Sequence, residues 1–326
     1  MKALIFGITG QDGSYLAESL VREEVEVHGV VRRRSPLRYI RHLIEAKTVT
    51  LHTGDVTDQS SLDQIISSVQ PDEVFGLAAM SFVGASWQVP EHTMEVTGMG
   101  TLRLMEAVRK HAPRARVYQA ASSEQFGASP PPQNEETPFY PRSPYGIAKV
   151  MAFHTVRNHR ESYGLHAVSG ILGNHESPRR GVEFVTRKIS RAVARIYLGQ
   201  QEKLLLGDLK AERDWGWAPE YVEAMKLILR APEPRDYVVG TGVSHSVEDF
   251  AREAFGVVDL NFRDHVEVDP KLVRLAEVRH LRADASKIKA ELGWEPRVSF
   301  EQLVREMVLA DIEIEKHRER GEPEDA

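Results

Sequence analysis

Cysteine is absent from this chain of 326 residues. Disulfide bonds, thiolate nucleophiles and zinc sites built on cysteine are therefore excluded. Long apolar runs are also missing. The first run, residues 3–6, ends at Gly7, which argues against a signal peptide. No later run approaches the length of roughly 20 apolar residues that a membrane-spanning helix needs. We therefore expect no membrane partner, and a cytoplasmic location.

Positive charge is in the minority. The chain has 42 Lys and Arg against 48 Asp and Glu, for a net charge of -6. A general basic field that could hold nucleic acid is therefore excluded, and an anionic ligand would need a local cluster of cations. The 41% of hydrophobic residues is typical of a globular protein with a sizeable core.

Apolar runs alternate with amphipathic stretches through the first half of the chain. This alternation predicts an α/β fold, a Rossmann-type doubly wound parallel sheet. The predicted strands are residues 3–6, 25–31, 49–52, 73–78, 116–121 and 167–172. After residue 172 the pattern is irregular, with helices predicted at residues 184–198, 219–229, 247–255, 286–292 and 300–316. We expect a dinucleotide-binding domain at residues 1–172, joined by parts of 213–242, and a smaller, mostly helical substrate lobe at 173–326.

Three glycines follow the first predicted strand, at positions 7, 10 and 13. Glycines at the start of a helix permit a tight turn and let a pyrophosphate approach the backbone N–H groups. A plain strand-to-helix turn is the alternative. The second strand runs into arginines at residues 32–34, where an NAD enzyme usually carries an acid. Arg32 therefore favours the 2′-phosphate of NADP, although a solvated basic turn has the same composition.

The candidate catalytic residues are Ser122, Glu124, Tyr145 and Lys149. Tyr145 and Lys149 form the single YxxxK of the chain, which places both side chains on one helical face. An ammonium beside the phenol is expected to lower the pKa of Tyr145 and to make it a base. Ser122 and Glu124 follow the fifth predicted strand, where this fold keeps its chemistry. Alternatively, Tyr145 and Lys149 could be an amphipathic pair on the surface, the serines could cap the next segment, and Glu124 could be solvated.

The sequence resembles the extended short-chain dehydrogenase/reductases and, more narrowly, the GDP-mannose 4,6-dehydratases. The matching stretches run from near the N-terminus to the last predicted helix. They are GITGQDGSYLAESL at 7–20, EVHGVVRR at 26–33, SSEQFG at 122–127, TPFYPRSPYGIAK at 137–149, NHESPRRGVEFVTRKI at 174–189, RDWG at 213–216 and LGWEPRVSFEQLVREMV at 292–308.

The resemblance implies that GDP-mannose loses water by an internal transfer of hydride from C4 to C6 through NADP. Tyr145 is then the base at O4, Lys149 holds the ribose, Ser122 assists at O4, and Glu124 acts at C5 and on the C6 hydroxyl. The implied cofactor contacts are Gly7, Thr9, Gly10, Gln11, Asp12, Gly13, Arg32, Asp55, Val56, Leu77, Ala78, Ala79, Ser81, Tyr145, Lys149, His175 and Arg180. The implied substrate contacts are Ser81, Glu124, Asn174, Lys188, Arg213, Arg274 and Glu277.

Several alternatives stay open. His175 could be a core histidine, and Arg213 could pair with Asp214. The enzyme could be a GDP-4-keto-6-deoxymannose reductase or a nucleotide-sugar epimerase, although neither needs the carboxylate of Glu124. A non-enzymatic NADP sensor would not need all four catalytic residues. No metal is expected. The resemblance implies a homodimer or homotetramer, and the short segment 35–47 leaves the choice open.

Overall fold

The computed structural model of the chain describes residues 1–272, 276 and 278–320. The strands are β1 (Lys2–Phe6), β2 (Glu26–Val31), β3 (Val49–Thr53), β4 (Glu73–Gly76), β5 (Arg116–Ser122), β6 (Ala167–Leu172), β7 (Asn174–Glu176), β8 (Leu204–Leu206), β9 (Glu212–Arg213), β10 (Trp215–Trp217), β11 (Tyr237–Val239), β12 (His245–Ser246) and β13 (Val266–Val268). The α-helices are α1 (Gln11–Arg22), α2 (Arg41–Glu45), α3 (Gln59–Val69), α4 (Val83–Ser86), α5 (Pro90–Thr93), α6 (Gly100–His111), α7 (Pro144–Tyr163), α8 (Val185–Tyr197), α9 (Ala218–Arg230), α10 (Val247–Gly256), α11 (Ser286–Leu292) and α12 (Phe300–Glu319).

Seven parallel strands form the central sheet, in the order β11-β6-β5-β4-β1-β2-β3. The predicted doubly wound sheet is confirmed, and each of its six predicted strands is present. The sequence missed β11, which has only three residues and lies in the irregular second half. The strand order reverses between β1 and β4, and ligands of such sheets bind in the crevice at the carboxyl ends beside that reversal.

The strands of the central sheet are continuously apolar, because helices cover both faces of the sheet. In β1, Ile5 packs into the core on the side of α1 and α9, whereas its neighbour Leu4 packs on the side of α3 and α6. Both side chains are fully buried, and burial of each stabilises the fold by about 1.5–3 kcal/mol. The central strands are therefore fixed between two cores, which gives the ends of β1, β4 and β5 a rigid position.

Local sequence signals mark both ends of helix α7. The Ser143 hydroxyl accepts a hydrogen bond from the Gly146 N–H at 3.0 Å, and Pro144 stands at the first helical position. The helix ends at Gly164, whose positive φ of 67° suits glycine. The first turn of α7 therefore begins close to the end of β5.

A third core belongs to α8, α10 and α12, and it is built on Ile189, Phe250 and Met307. A buried ion pair fastens α8 to α12, since Arg187 binds Asp311 with its Nε 2.9 Å from both carboxylate oxygens. The predicted helices of the second half are thus confirmed, whereas the division of the chain at residue 172 stays a prediction. None of the helices among the described residues has the length and apolar character of a membrane span.

Candidate active site

A cleft of about 720 Å³ lies between the carboxyl ends of the sheet and the segments that carry α8 and β9. Twenty-two residues predicted to bind or react line this cleft: Gly7, Thr9, Gly10, Gln11, Asp12, Gly13, Arg32, Asp55, Val56, Leu77, Ala78, Ala79, Ser81, Ser122, Glu124, Tyr145, Lys149, Asn174, His175, Arg180, Lys188 and Arg213. Two further predictions, Arg274 and Glu277, lie outside the described residues. The fold thus brings together side chains from distant segments, whose roles stay predictions.

The glycine loop joins β1 to α1 by a tight turn. Gly7 has a φ of 89°, and its carbonyl accepts a hydrogen bond from the Gly10 N–H at 3.0 Å. A Cβ at Gly13 would lie 2.2 Å from the Gly7 oxygen, so this close approach requires glycine. In the described part of the chain, no side chain caps the first turn of α1. The uncapped N–H groups of this first turn therefore fit a pyrophosphate.

Asp12 and His175 form an ion pair on the wall of the cleft. The Nε2 of His175 lies 3.0 Å from the Oδ2 of Asp12, and its Nδ1 lies 2.8 Å from the Gly173 carbonyl. Burial by itself would raise the pKa of Asp12, but the His175 charge, the hydrogen bonds from His175 and Gln11 and the Arg180 charge together lower that pKa to about 2. The His175 ring also stacks on Tyr221 at 4.6 Å. His175 is thus buried as the alternative proposed, and it also lines the cleft.

Arg32 follows β2 at the rim of the cleft and is exposed. Its backbone N–H donates to the Ser35 hydroxyl at 3.1 Å, which closes a short turn. The neighbouring segment contributes Tyr39 to the cleft. Arg179 also lines the cleft, and its guanidinium carbon lies 4.0 Å from the ring centre of Tyr15. This end of the cleft is therefore rich in positive charge and aromatic faces, which suit a phosphorylated ribose and an adenine.

Tyr145 lies in the first turn of α7, where its phenol is close enough to Ser122, at the end of β5, for the Ser122 side chain to lower the pKa of Tyr145. Burial raises the pKa of Tyr145, the Ser122 hydrogen bond lowers it, the Glu124 charge raises it and the Arg180 charge lowers it. The result is a pKa of about 12. The expected drop in the Tyr145 pKa is therefore wrong for the free chain, because burial outweighs the Ser122 hydrogen bond and the Arg180 charge.

Lys149 lies one turn further along α7 and is 3% exposed. Its ammonium donates to the Ala120 carbonyl at 2.6 Å and lies 5.7 Å from the centre of the Tyr145 ring. Burial lowers the pKa of Lys149 to about 8, although the Asp12 charge acts against this. The predicted placement of the two side chains on one helical face is confirmed.

Ser122 ends β5 and stands directly before the 3₁₀ turn Ser123–Gln125, which contains Glu124. Ser122 caps this turn, since its hydroxyl accepts from the Glu124 N–H at 3.3 Å. Its own N–H donates to the Gln125 side chain at 2.9 Å. The capping role that the sequence left open is therefore present together with the contact to Tyr145. Glu124 is 6% exposed and lines the cleft beside them, so it is not the solvated glutamate of the alternative.

Two cations line the lobe side of the cleft. Burial lowers the pKa of Lys188, at the start of α8, although the Asp269 charge acts against this. Arg213 is buried and donates to the Glu212 carbonyl at 2.8 Å. The carboxylate of Asp214 accepts hydrogen bonds from Thr241, both from its N–H at 2.9 Å and from its hydroxyl at 2.6 Å. The second carboxylate oxygen accepts from two further backbone N–H groups. The Asp214 carboxylate thus accepts hydrogen bonds from Thr241 and from backbone N–H groups rather than pairing with Arg213.

Sequence reasoning missed several residues of this cleft. Glu176, Arg179 and Phe184 line it, and all three lie in the stretch NHESPRRGVEFVTRKI, whose length signalled its importance without giving individual roles. Phe82 also lines the cleft, and only its position after β4 could have suggested this. Lone apolar residues carry no signal of their own, because most of them belong to cores.

Comparison with known proteins identifies the family. The family model "GDP-mannose 4,6 dehydratase" matches residues 4–307. The chain belongs to this family. It is 51% identical to GDP-mannose 4,6 dehydratase 1 of Arabidopsis thaliana over 96% of this chain and 90% of that relative. It is 49% identical to the GDP-mannose 4,6 dehydratase of Homo sapiens over 96% of this chain and 91% of that relative.

A solved structure of lower identity shares the fold. The dTDP-glucose 4,6-dehydratase of Bacillus anthracis str. Ames, in complex with NAD, superposes with a TM-score of 0.84 at 22% identity. The match covers 98% of this chain and 98% of that chain. The chain therefore shares its fold with this structure.

Proposed function

We propose that the chain carries out the dehydration of its family on GDP-mannose with Ser122, Glu124, Tyr145 and Lys149 as its chemical groups and NADP as its cofactor. The product is GDP-4-dehydro-6-deoxymannose together with water. The observation that carries the proposal is the convergence of these four side chains, three of them buried, in the one cleft that also contains the uncapped start of α1.

The cofactor fits the residues that would hold it. The glycine turn before α1 suits the pyrophosphate, and Arg32 supplies a cation at the end of β2 for a 2′-phosphate. Lys149 is the group that would hold the ribose. When bound, NADP supplies a hydride acceptor at C4 of the sugar and a hydride donor at C6. The preference for NADP over NAD rests on Arg32.

Tyr145 takes the proton of the C4 hydroxyl as that carbon loses hydride. The phenol is protonated in the free chain, because burial raises its pKa to about 12. It must therefore release its own proton to solvent and react as the phenolate. The Ser122 hydroxyl and the charge of Arg180 favour the phenolate. These two groups therefore prepare Tyr145 for proton transfer, while Ser122 also contacts the oxygen that becomes the ketone.

Glu124 performs the elimination. The C4 ketone acidifies the hydrogen at C5, and a buried carboxylate close to Tyr145 can remove it. The same group then protonates the C6 hydroxyl, which leaves as water. Glu124 is a carboxylate again once water has left, and neither a simple reduction nor an epimerisation at C4 requires it. As hydride returns to C6, C5 takes up one proton, which balances the proton that Tyr145 removed from O4.

The nucleotide diphosphate of the substrate needs cations on the lobe side of the cleft. Lys188 and Arg213 supply them there, and Asn174 lies beside them at the start of β7. Arginine forms forked hydrogen bonds to phosphate oxygens, and lysine adds a point charge. Three expectations from the resemblance stay predictions. They are the preference for guanine, the assembly as a homodimer or homotetramer, and the cytoplasmic location.

The test is a mass-spectrometric assay of the purified chain with GDP-mannose and catalytic amounts of NADP⁺. We expect a product lighter by one water while the cofactor is unchanged at the end. Loss of water from another nucleotide sugar alone would overturn the substrate. No loss of water from any of them would favour the reductase, the epimerase or the sensor. Tyr145→Phe should abolish reduction of the cofactor in a single turnover, and normal reduction would remove Tyr145 from this role.

A further inference from the structure

Two phenylalanines meet across the cleft. Phe82 follows the segment after β4 and precedes α4, whereas Phe184 directly precedes α8. Their ring centres lie 5.6 Å apart, with an angle of 74° between the planes, which is the edge-to-face geometry that aromatic pairs prefer. Both rings are half-buried and line the cleft. The contact therefore connects the sheet side of the cleft with its lobe side, and we call it the aromatic bridge.

Charged side chains hold Phe184, the residue that the lobe side contributes to the aromatic bridge. The guanidinium carbon of Arg180 lies 3.6 Å from the centre of the Phe184 ring. The Nε of Arg180 lies 3.1 Å from the Oε2 of Glu176, a buried carboxylate on β7. The same carboxylate oxygen accepts from the Thr186 hydroxyl at 2.5 Å. Phe184 is thus fixed between Phe82 and an arginine that is itself anchored at the edge of the cleft.

The sheet half of the aromatic bridge depends on a glycine. A Cβ at Gly84 would lie 2.8 Å from the Cζ of Phe82, so the Phe82 ring lies directly over this position. A larger residue there would push the ring away from its place. The local chain therefore leaves room for Phe82 to reach Phe184.

The aromatic bridge lies at the reactive end of the cleft. Arg180, which stacks on Phe184, is close enough to Tyr145 and to Asp12 for its charge to lower the pKa of both groups. Phe82 follows Ser81, a predicted contact of both the cofactor and the sugar. The two rings therefore lie close to the phenol that is proposed to start the reaction.

The proposed reaction places a demand on this end of the cleft. After the first step the C4 hydride has left the sugar and its O4 proton is on Tyr145, so the 4-keto sugar nucleotide and the reduced cofactor must remain together until hydride returns at C6. Escape of either would end the cycle without dehydration. We propose that Phe82 and Phe184 form a retaining bridge that slows the dissociation of the reduced dinucleotide and of the 4-keto sugar nucleotide between the two hydride transfers.

This inference rests on the proposed function, and its main test measures binding rather than turnover. The chain is loaded with NADPH, an excess of NADP⁺ is added, and the loss of bound NADPH fluorescence gives the dissociation rate. Removal of an edge-to-face pair in Phe184→Leu or Phe82→Leu should speed dissociation by roughly 2- to 10-fold. Because the two rings act through one contact, the double variant should be little faster than either single variant. Phe184→Tyr keeps the ring and should retain the slow rate.

A matched control lies elsewhere in the chain. Phe139 makes an edge-to-face contact with Phe153 at 5.1 Å, and neither ring lines the cleft. Phe139→Leu should leave the NADPH dissociation rate unchanged. Equal rates in the wild type, Phe184→Leu and Phe82→Leu would overturn the retaining bridge. An equal increase in Phe139→Leu would do the same, because it would assign the effect to loss of any aromatic pair.

A second readout separates failure of the bridge from failure of the proposed function. In a single turnover with GDP-mannose, both bridge variants should release free NADPH and, in equal amount, a sugar nucleotide two hydrogens lighter than the substrate. Dehydration by the variants without such release would overturn the bridge and leave the function intact. If the wild type binds neither NADPH nor NADH, the proposed function fails and the inference with it.

Discussion

Replacing Lys149 by methionine should stabilise the chain while removing its activity. Lys149 is 3% exposed, and burial lowers its pKa to about 8 from the ordinary value of 10.5. The Asp12 charge favours the ammonium but does not compensate for the burial. The folded chain therefore holds the Lys149 ammonium at a cost, which methionine of similar length would not incur.

The magnitude follows from the two pKa values. A pKa that is about 2.5 units lower in the folded state costs about 3 kcal/mol at pH 7. The lost hydrogen bond to the Ala120 carbonyl offsets about 1 kcal/mol of this. Lys149→Met should therefore gain about 2 kcal/mol in the free energy of unfolding.

The stability difference should also depend on pH. Between pH 8 and 10.5 the unfolded chain binds more protons at this residue than the folded chain, so the stability of the wild type rises with pH. The advantage of the variant should disappear over the same range.

Urea denaturation of both proteins at pH 7 and at pH 10.5 tests this. Lys226 is the matched control, since it is also buried but binds the Ser19 hydroxyl at 2.6 Å and the carboxylates of Glu23 and Glu223. Lys226→Met should lose about 1–3 kcal/mol, because its charge is compensated. A Lys149→Met variant that is less stable than the wild type at pH 7 would refute the reasoning. So would a stability difference that does not change with pH.

Three further outcomes are expected. Glu124→Gln should still remove hydride from C4 of GDP-mannose but form no dehydrated product, and dehydration at the wild-type rate in the mass assay would exclude Glu124. Arg32→Ala should weaken NADP binding by about 10- to 100-fold in calorimetry, the value of a charge-assisted hydrogen bond, and NAD binding little; equal losses would make Arg32 a solvated residue. Asp311→Ala should lower the free energy of unfolding by about 3–5 kcal/mol, because Arg187 would stay buried without its carboxylate; a loss below about 1 kcal/mol in urea denaturation would contradict this.

The sheet and the helices could be predicted because they follow from local periodicity. Strands covered on both faces are continuously apolar, and the helical repeat places Tyr145 and Lys149 on one face of α7. The three-residue strand β11 escaped prediction, since its place in the sheet depends on pairing with β6 rather than on its own pattern. Boundaries agreed within a few residues where caps such as Ser143 mark them.

The sequence by itself determined the family, the doubly wound sheet, the glycine turn and the identity of twenty-two residues in the cleft. Only the tertiary structure decided their chemical state. The pKa of Tyr145 rises and that of Lys149 falls because both groups are buried by segments far away in the chain, and a motif of five residues contains no information on that burial. The pairing of Asp12 with His175 and the meeting of Phe82 with Phe184 likewise join residues more than a hundred positions apart. Such contacts depend on packing in three dimensions, which no local pattern records.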